Sequence, residues 1–401
     1  MTRFTFTEAA ERTLVELPDE VAHELIRAKA AIVEPEASGV WRISSVSKVG
    51  SFRVNGHQLD IAPKTTIAAL SFLLGYERSQ RFWRHEDVIS DENAHPSVAI
   101  AFSLGRLVSR ATAGGVLRGY HTENSEEMTL RGRWDLATQI KRRPGSSLPL
   151  HLTTDEFDAD IPVNQILASA TDLLLREPNV RGPARLSLLQ LSRRFEDVSL
   201  LQRGFIPTVA MNRLNAHYAG ALHLARIVLR SGSLQQLGGR NASAGFLLTM
   251  STVFEQFLGE SIAHATSKRG LRSVEQDRSG LDTDYLVHIK PDIVIYRGVT
   301  PIAVIDAKYK VEKSGRFPNA DVYQAITYAL RLGLSEAHLV YAKGESEPRQ
   351  MEIIGAGVRV HVHALDLELP PARLLASIDQ LVDSVAGHAA DSHGLGAQAG
   401  W

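Results

Sequence analysis

Two aspartates and a lysine lie in a stretch whose spacing favours a β-hairpin. Two runs rich in β-branched residues flank a turn that contains Gly298. A hairpin centred near Val299 places Asp292 opposite Asp306, and cross-strand partners lie about 4.5–5.5 Å apart at their Cβ atoms. Because side chains alternate along a strand, Lys308 shares a face with Asp306. Two carboxylates and an ammonium group are therefore expected to converge.

A divalent cation is the simplest way to keep two such carboxylates together. Paired carboxylates repel each other, and Mg²⁺ is commonly bound by one or two carboxylates plus waters. An aspartate followed, after a hairpin turn, by Asp306-Ala307-Lys308 is also the pattern of the PD-(D/E)xK nucleases. The alternative is a solvated, salt-bridged hairpin. The run from Ile302 to Ile305 argues against it, because a strand that is apolar on both faces is a buried central strand.

The helices predicted on either side of the hairpin supply further polar groups. The preceding helix carries Glu255 and Glu260, which are five residues apart and point to different faces, so at most one of them can face a metal at the hairpin. The following helix carries Gln324 and Tyr328, which are four residues apart and share a face. These helices must pack against the hairpin for the chemistry to assemble.

The composition is that of a folded chain without strong bulk charge. The chain has 401 residues, of which 44% are hydrophobic and 22% charged, with a formal net charge of -1 and no cysteine. Affinity for nucleic acid must therefore come from a local patch, and disulfides and thiolate metal sites are excluded. There is no apolar run of the roughly 18 residues that a membrane span needs and no secretory signal pattern. We expect a cytoplasmic protein without a membrane anchor.

Four parts are predicted along the chain. Residues 1–160 alternate short β-like runs with helices and contain a hairpin signal at Asn55-Gly56, so they are predicted to form an α+β N-terminal domain. Residues 161–240 form a helical connector. Residues 241–386 are predicted to form a C-terminal α/β domain, which the Asp292 and Asp306-Ala307-Lys308 pattern makes similar to restriction endonucleases of the PD-(D/E)xK type, and residues 387–401 are predicted to form a flexible tail.

Several local elements are predicted from periodicity alone. Apolar spacing indicates a long helix from about Ala242 to Ser267. Strand character is predicted from Met128 to Ile140 and from Asp284 to Ile289. The segment before Val40 has no assignment.

Five blocks of sequence occur in a fixed order along roughly residues 40 to 370. The blocks are Leu130-Arg131-Gly132-Arg133, Asp155 to Leu167, Phe254 to Leu258, Pro291 to Lys310 and Asp321 to Tyr328. Together they resemble the McrC family, the nuclease subunits of modification-dependent McrBC restriction systems. Their order is more specific than any block alone.

The resemblance implies Mg²⁺-dependent hydrolysis of a DNA phosphodiester. Asp292, Asp306 and the Ala307 carbonyl would bind Mg²⁺. Lys308 would position the attacking water or stabilise the charge that grows on phosphorus. Of the two acids on the preceding helix, Glu255 is preferred because it lies in the Phe-Glu-x-Phe context.

The second helix also matches the family. Gln324 and Tyr328 correspond to a Gln-x-x-x-Tyr helix, in which these residues support the site and contact the DNA strand. The alternative is that Tyr328 packs in the core while Gln324 is exposed.

A partner follows from the same resemblance. The chain has no P-loop motif, whereas McrC works with McrB, a GTP-hydrolysing AAA+ ring that recognises modified DNA. Residues 1–160 would dock into that ring and stimulate its hydrolysis, while the chain cleaves double-stranded DNA. Two alternatives stay open: a nuclease-fold interaction protein that activates an AAA+ ring without cutting, and a self-sufficient repair nuclease.

A basic stretch precedes the predicted nuclease domain. No acidic residue occurs between Asp197 and Glu255, whereas Arg226 and Arg230 lie one helical turn apart within it. Such a stretch could follow the phosphates of DNA, and Arg226 and Arg230 are therefore candidate DNA-binding residues. The alternative is a well-buried connector with few polar residues.

Overall fold

A computed structural model describes residues 2–8, 12–76, 95–202, 204–233, 244–309, 318–342 and 349–395. The strands are β1 (Arg3–Thr7), β2 (Thr13–Glu16), β3 (Ile32–Ala37), β4 (Val40–Ser44), β5 (Lys48–Val54), β6 (His57–Ala62), β7 (Gly119–Glu127), β8 (Arg133–Trp134), β9 (Leu150–Asp158), β10 (Ala244–Thr249), β11 (Arg272–Glu275), β12 (Ser279–Gly280), β13 (His288–Ile289), β14 (Ile293–Arg297), β15 (Thr300–Lys308), β16 (Glu336–Ala342), β17 (Arg349–Ile353) and β18 (Val358–Leu365). The helices are α1 (Asp19–Arg27), α2 (Ile67–Gly75), α3 (Pro96–Ala111), α4 (Leu136–Arg142), α5 (Pro162–Leu175), α6 (Gly182–Arg194), α7 (Ala219–Ser233), α8 (Met250–Lys268), α9 (Asn319–Leu332) and α10 (Pro371–Leu395). The chain is thus a mixed α/β protein with several sheets, as predicted.

The N-terminal sheet has the strand order β1-β6-β5-β10. Its central hairpin confirms the turn signal, because Asn55 and Gly56 both have positive φ (46° and 80°), as a type I′ turn requires. β1 pairs in parallel with β6. The segment before Val40, which had no assignment, also forms β2, α1 and β3, and these pack a small core against this sheet.

The long helix predicted from about Ala242 is wrong at its N-terminal end. Residues 244–249 form β10, which pairs antiparallel with β5, and the helix begins only at Met250. The apolar run Phe246-Leu247-Leu248 is too short for its period to separate strand from helix. The N-terminal sheet therefore contains residues that the sequence assigned to the C-terminal domain.

The strands β7, β9 and β8 and the helix α4 form an arm, residues 119–158, that packs mainly on itself. The strand predicted from Met128 to Ile140 is wrong apart from β8, because the Asp135 side chain caps α4 by accepting a hydrogen bond from Thr138 N. Gly132 (φ 88°) allows close approach to β9: a Cβ there would lie 2.7 Å from the Thr153 carbonyl oxygen.

Helices α5, α6 and α7 occupy the segment expected to be a helical connector. Their apolar faces share one continuous core with α2, α3, α8 and α10. The limits of the four parts stay a prediction. No helix in the described ranges has both the length and the apolar composition needed to cross a membrane.

The C-terminal sheet has the strand order β11-β14-β15-β16-β18-β17. β15 is central and buried from Ile302 to Ala307, as its apolar run predicted. The strand expected from Asp284 is limited to β13, because the Asp282 carboxylate accepts hydrogen bonds from the backbone and holds a turn there. The flexible tail was expected to begin after residue 386, yet α10 continues to Leu395, since no proline interrupts the backbone hydrogen bonds of the helix there.

Candidate active site

Asp292 and Asp306 face each other across β14 and β15. The register pairs Ile293 with Ile305, which places the two acids at the end of the same ladder. Asp292 Oδ2 accepts a hydrogen bond from Ala307 N at 2.8 Å. The predicted juxtaposition of the two acids is confirmed.

Asp306 is a strongly buried acid, with only 2% of its surface exposed. Burial, with a contribution from the charge of Asp292, raises the pKa of Asp306 to about 7, although Lys308 opposes the shift. Lys308 Nζ lies 2.5 Å from Asp306 Oδ2. The site thus concentrates acidic groups around Lys308.

Lys308 is held by groups from the helix α9. Its Nζ donates to Gln324 Oε1 at 2.9 Å, and Gln324 Nε2 donates to the Tyr328 hydroxyl at 2.6 Å. The Tyr328 hydroxyl in turn donates to the Lys290 carbonyl at 3.3 Å. Gln324 and Tyr328 therefore share a face and belong to the same hydrogen-bond network as the acids.

Asp321 is a member of this network that had been given no role. Its Oδ1 lies 3.8 Å from Lys308 Nζ, and its Oδ2 accepts a 2.8 Å hydrogen bond from the Tyr341 hydroxyl. Burial alone would lower the pKa of Lys308, but the charges of Asp306 and Asp321 outweigh it and raise that pKa. The available signal was an acid in the first turn of α9, three residues before Gln324.

Glu255, on α8, is close enough to the site for the charges of Asp292 and Lys308 to affect its pKa. Burial, with a contribution from the charge of Asp292, raises the pKa of Glu255 to about 7, although Lys308 and Lys290 oppose the shift. Because Glu260 lies five residues further along α8, it points to another face of the helix. Glu255 therefore lies within electrostatic range of Asp292 and Lys308, and its choice over Glu260 stays a prediction.

The donors present suit a hard divalent cation. Asp292 and Asp306 offer carboxylate oxygens, and the backbone N–H of Ala307, the residue after Asp306, donates a hydrogen bond to Asp292. Apart from its ion pair with Lys308, the buried Asp306 Oδ2 makes no well-oriented hydrogen bond to any described residue. Within the described part of the chain no group of three His, Cys, Asp or Glu side chains is arranged to hold a metal. A cation here would thus rely on two carboxylates, the main chain and water.

Arg226 and Arg230 lie on α7, outside the acid cluster. Burial, together with the positive charges of both arginines, lowers the pKa of His223 to about 4. His223 makes a hydrogen bond with Gln256, the residue after Glu255. Neither arginine pairs with a carboxylate among the described residues. The two arginines therefore add positive charge beside the helix that carries Glu255.

Comparison with known proteins gives a family and a fold. A family model for the McrBC 5-methylcytosine restriction system component matches residues 43–342. No curated protein matches significantly. A chain of the refined half-complex from the tetradecameric assembly of Thermococcus gammatolerans McrB AAA+ hexamers with bound McrC is 16% identical, with a TM-score of 0.55 over 96% of this chain and 100% of that chain. A chain of the cryo-EM structure of the Thermococcus gammatolerans McrBC complex is 19% identical over 66% of this chain and 88% of that chain, with a TM-score of 0.39.

Proposed function

Because the chain belongs to the family of McrBC 5-methylcytosine restriction system components, we propose that it is the Mg²⁺-dependent DNA endonuclease subunit of a McrBC-like complex. The observation that carries the proposal is the meeting of Asp292, Asp306 and Lys308 at the end of β15, with Glu255 nearby. The C-terminal sheet would then be the PD-(D/E)xK nuclease fold. The substrate would be double-stranded DNA that carries a modified base.

The residues of the site divide the work of hydrolysis. Asp292, Asp306 and the Ala307 carbonyl would hold Mg²⁺, which when bound supplies the positive charge that polarises a phosphate and acidifies water. Lys308, kept protonated by its acidic neighbours, stabilises charge on the phosphate oxygens or orients the attacking water. Gln324 fixes the lysine side chain from α9.

Metal-dependent cleavage tests the proposal directly. The full chain, mixed with its AAA+ partner and GTP, is expected to cut DNA carrying 5-methylcytosine in Mg²⁺ and to stop when EDTA removes the metal. Gel analysis of the products and the Mg²⁺-induced shift in melting temperature are the measurements. Stimulated GTP hydrolysis without cleavage or Mg²⁺-induced stabilisation would instead identify an interaction protein. Cleavage by the chain alone would favour a self-sufficient nuclease.

The arm, residues 119–158, is the part of the predicted docking domain best suited to enter a partner. It carries exposed apolar side chains outside the main cores, among them Tyr120 and Phe157, whose ring centroids lie 4.9 Å apart. Buried Gln139 keeps it ordered by donating to the carbonyls of Ser146 and Pro149. We propose that this arm contacts the AAA+ ring.

Replacing both exposed aromatic residues of the arm by serine (Tyr120→Ser with Phe157→Ser) should weaken binding to the partner by about tenfold or more, since exposed aromatic residues often dominate an interface. The measurement is the concentration of chain that half-saturates stimulation of GTP hydrolysis. Tyr285→Ser with Leu286→Ser is the matched control, because these two side chains are also large, apolar and exposed but lie outside the arm. Equal effects of both pairs would contradict the assignment.

Arg226 and Arg230 are proposed to contact DNA phosphates. Replacing both with alanine should reduce the slope of log affinity against log salt by about 1.8, because each lost phosphate contact contributes about 0.9. Fluorescence anisotropy with a DNA duplex at several salt concentrations measures this slope. The control, Lys141→Ala with Arg142→Ala, removes two exposed charges from α4. An unchanged slope for the arginine variant would exclude this role.

A further inference from the structure

A polar junction joins the N-terminal sheet to the strand that carries Lys308. Tyr309 follows Lys308 at the end of β15, and its hydroxyl donates to Glu8 Oε2 at 3.1 Å. The same Glu8 oxygen accepts from Lys64 N at 3.3 Å. Lys64 Nζ lies 3.9 Å from the centroid of the Tyr309 ring. Glu8 follows β1 and Lys64 follows β6, so both belong to the end of the N-terminal sheet.

The junction is buried, although its members are polar. Only 5% of the Glu8 surface is exposed. Burial raises the pKa of Glu8 to about 7, while Lys64 and the Tyr309 hydroxyl partly offset the shift. A buried carboxyl group is tolerated only where its hydrogen bonds are satisfied, and the separation of the two sheets would remove the hydrogen bond that Glu8 accepts from the Tyr309 hydroxyl.

The Tyr309 ring also contacts the helix that carries Glu255. Its centroid lies 6.0 Å from that of Phe254, the residue before Glu255. Side chains alternate along a strand, so Tyr309 faces α8 while Lys308 faces the acid cluster and α9. Tyr309, the residue after Lys308, therefore contacts Phe254, the residue before Glu255.

A covalent connection runs beside this contact. β10 is an edge strand of the N-terminal sheet and ends at Thr249, and α8 begins at the next residue, Met250. Glu255 is thus one and a half turns from the N-terminal sheet, with no linker between them. A shift of that sheet must move α8, and Tyr309 ties β15 to the same sheet.

We propose that Tyr309 is a positioning residue that, through Glu8 and Phe254, holds the Lys308 strand in register with α8 and links the nuclease site to the N-terminal sheet. This inference rests on the proposed function and adds a route for its regulation. A partner that displaces the N-terminal sheet alters the spacing between Glu255 and Lys308. Tyr309 would act through these neighbours and not by direct contact with metal or DNA.

Tyr309→Phe tests this role by removing only the hydroxyl group, and Tyr296→Phe is the matched control. Tyr296 lies on the neighbouring strand β14, and its hydroxyl also donates to a carboxylate, that of Asp277, away from the junction. With the partner, GTP and Mg²⁺ present, Tyr309→Phe should lower the cleavage rate at saturating DNA by about tenfold. The half-saturating DNA concentration and the stimulation of GTP hydrolysis should change by less than about twofold. Tyr296→Phe should change none of these quantities.

Two further measurements separate positioning from a general loss of structure. Glu8→Gln should reproduce the loss, and the double variant should be no worse than the poorer single variant, as expected for residues that act together. Amide hydrogen exchange of β15 in the chain alone should accelerate in Tyr309→Phe while that of β17 and β18 does not. Independent, additive losses or an unchanged exchange rate would overturn the proposal. If the wild-type chain does not cleave DNA, the proposed function fails, whereas the exchange measurement still decides the junction.

Discussion

Asp306→Asn is expected to abolish DNA cleavage and at the same time to stabilise the metal-free chain. The amide keeps the size of the carboxylate but removes a charge needed to hold Mg²⁺, so the cleavage rate should fall on the order of 10³-fold or more. The raised pKa of Asp306 means that its ionised form is disfavoured in the folded chain, so removing its charge should add about 1–3 kcal/mol to the free energy of unfolding near pH 8. Single-turnover cleavage and urea unfolding in EDTA measure the two effects.

The gain in stability should depend on pH with a definite sign. The pKa of Asp306 is raised from 3.8 to about 7, so the favourable protonated form is fully present below about pH 4 and is lost as the pH rises through 7. The difference in stability between Asp306→Asn and wild type should therefore grow from pH 4 to pH 8 in EDTA. Glu255 is present in both chains, so its own titration largely cancels in this difference. Mg²⁺ should reduce the difference in unfolding free energy between the variant and the wild type at pH 8, because it stabilises only the wild type.

Asp284→Asn is the control, because Asp284 is exposed and lies nine residues before the start of β14. It should leave both cleavage and stability unchanged. Cleavage by Asp306→Asn at the wild-type rate would remove Asp306 from the site. A loss of stability would show instead that the charged Asp306–Lys308 pair supports the fold.

The acid pair was predictable from sequence because its determinants are local. The hairpin register depends on the apolar runs on either side of Gly298 and on alternation along each strand, and both are visible in one stretch. Gln324 and Tyr328 were found for the same reason, since four-residue spacing on a helix puts two side chains on one face. Local periodicity was therefore sufficient to predict that Asp292 and Asp306 lie opposite each other.

The parts of the fold and of the site that the sequence did not predict depend on contacts between distant segments. Asp321 joins the site only because Tyr341, on β16, holds its carboxylate. Glu8 meets Tyr309 across 301 positions of sequence, and no local pattern marks either of them. The pairing of β10 with β5 was missed because a strand of six residues has too short a period to be told from the helix that follows it.

Gly50→Ala is expected to disrupt that missed pairing and to be strongly destabilising. Gly50 lies on β5 opposite Leu247 of β10, with φ at 136°. A Cβ atom at this position would overlap the Phe246 carbonyl oxygen, which is backbone and cannot rotate away. We expect a loss of roughly 4 kcal/mol or more, from both the overlap and the backbone conformation. Urea unfolding followed by circular dichroism measures the loss.

Gly56→Ala provides the control, because Gly56 also has a positive φ, of 80°, but nothing lies within 4 Å of the added Cβ. It should cost only about 1–2 kcal/mol, the ordinary penalty of a left-handed conformation. Since β10 leads directly into α8, Gly50→Ala should also lower the cleavage rate of any folded fraction by displacing Glu255. Equal losses of stability in the two variants would mean that the close approach of β10 to β5 is absent. The N-terminal sheet would then not fix the position of α8, the helix that carries Glu255.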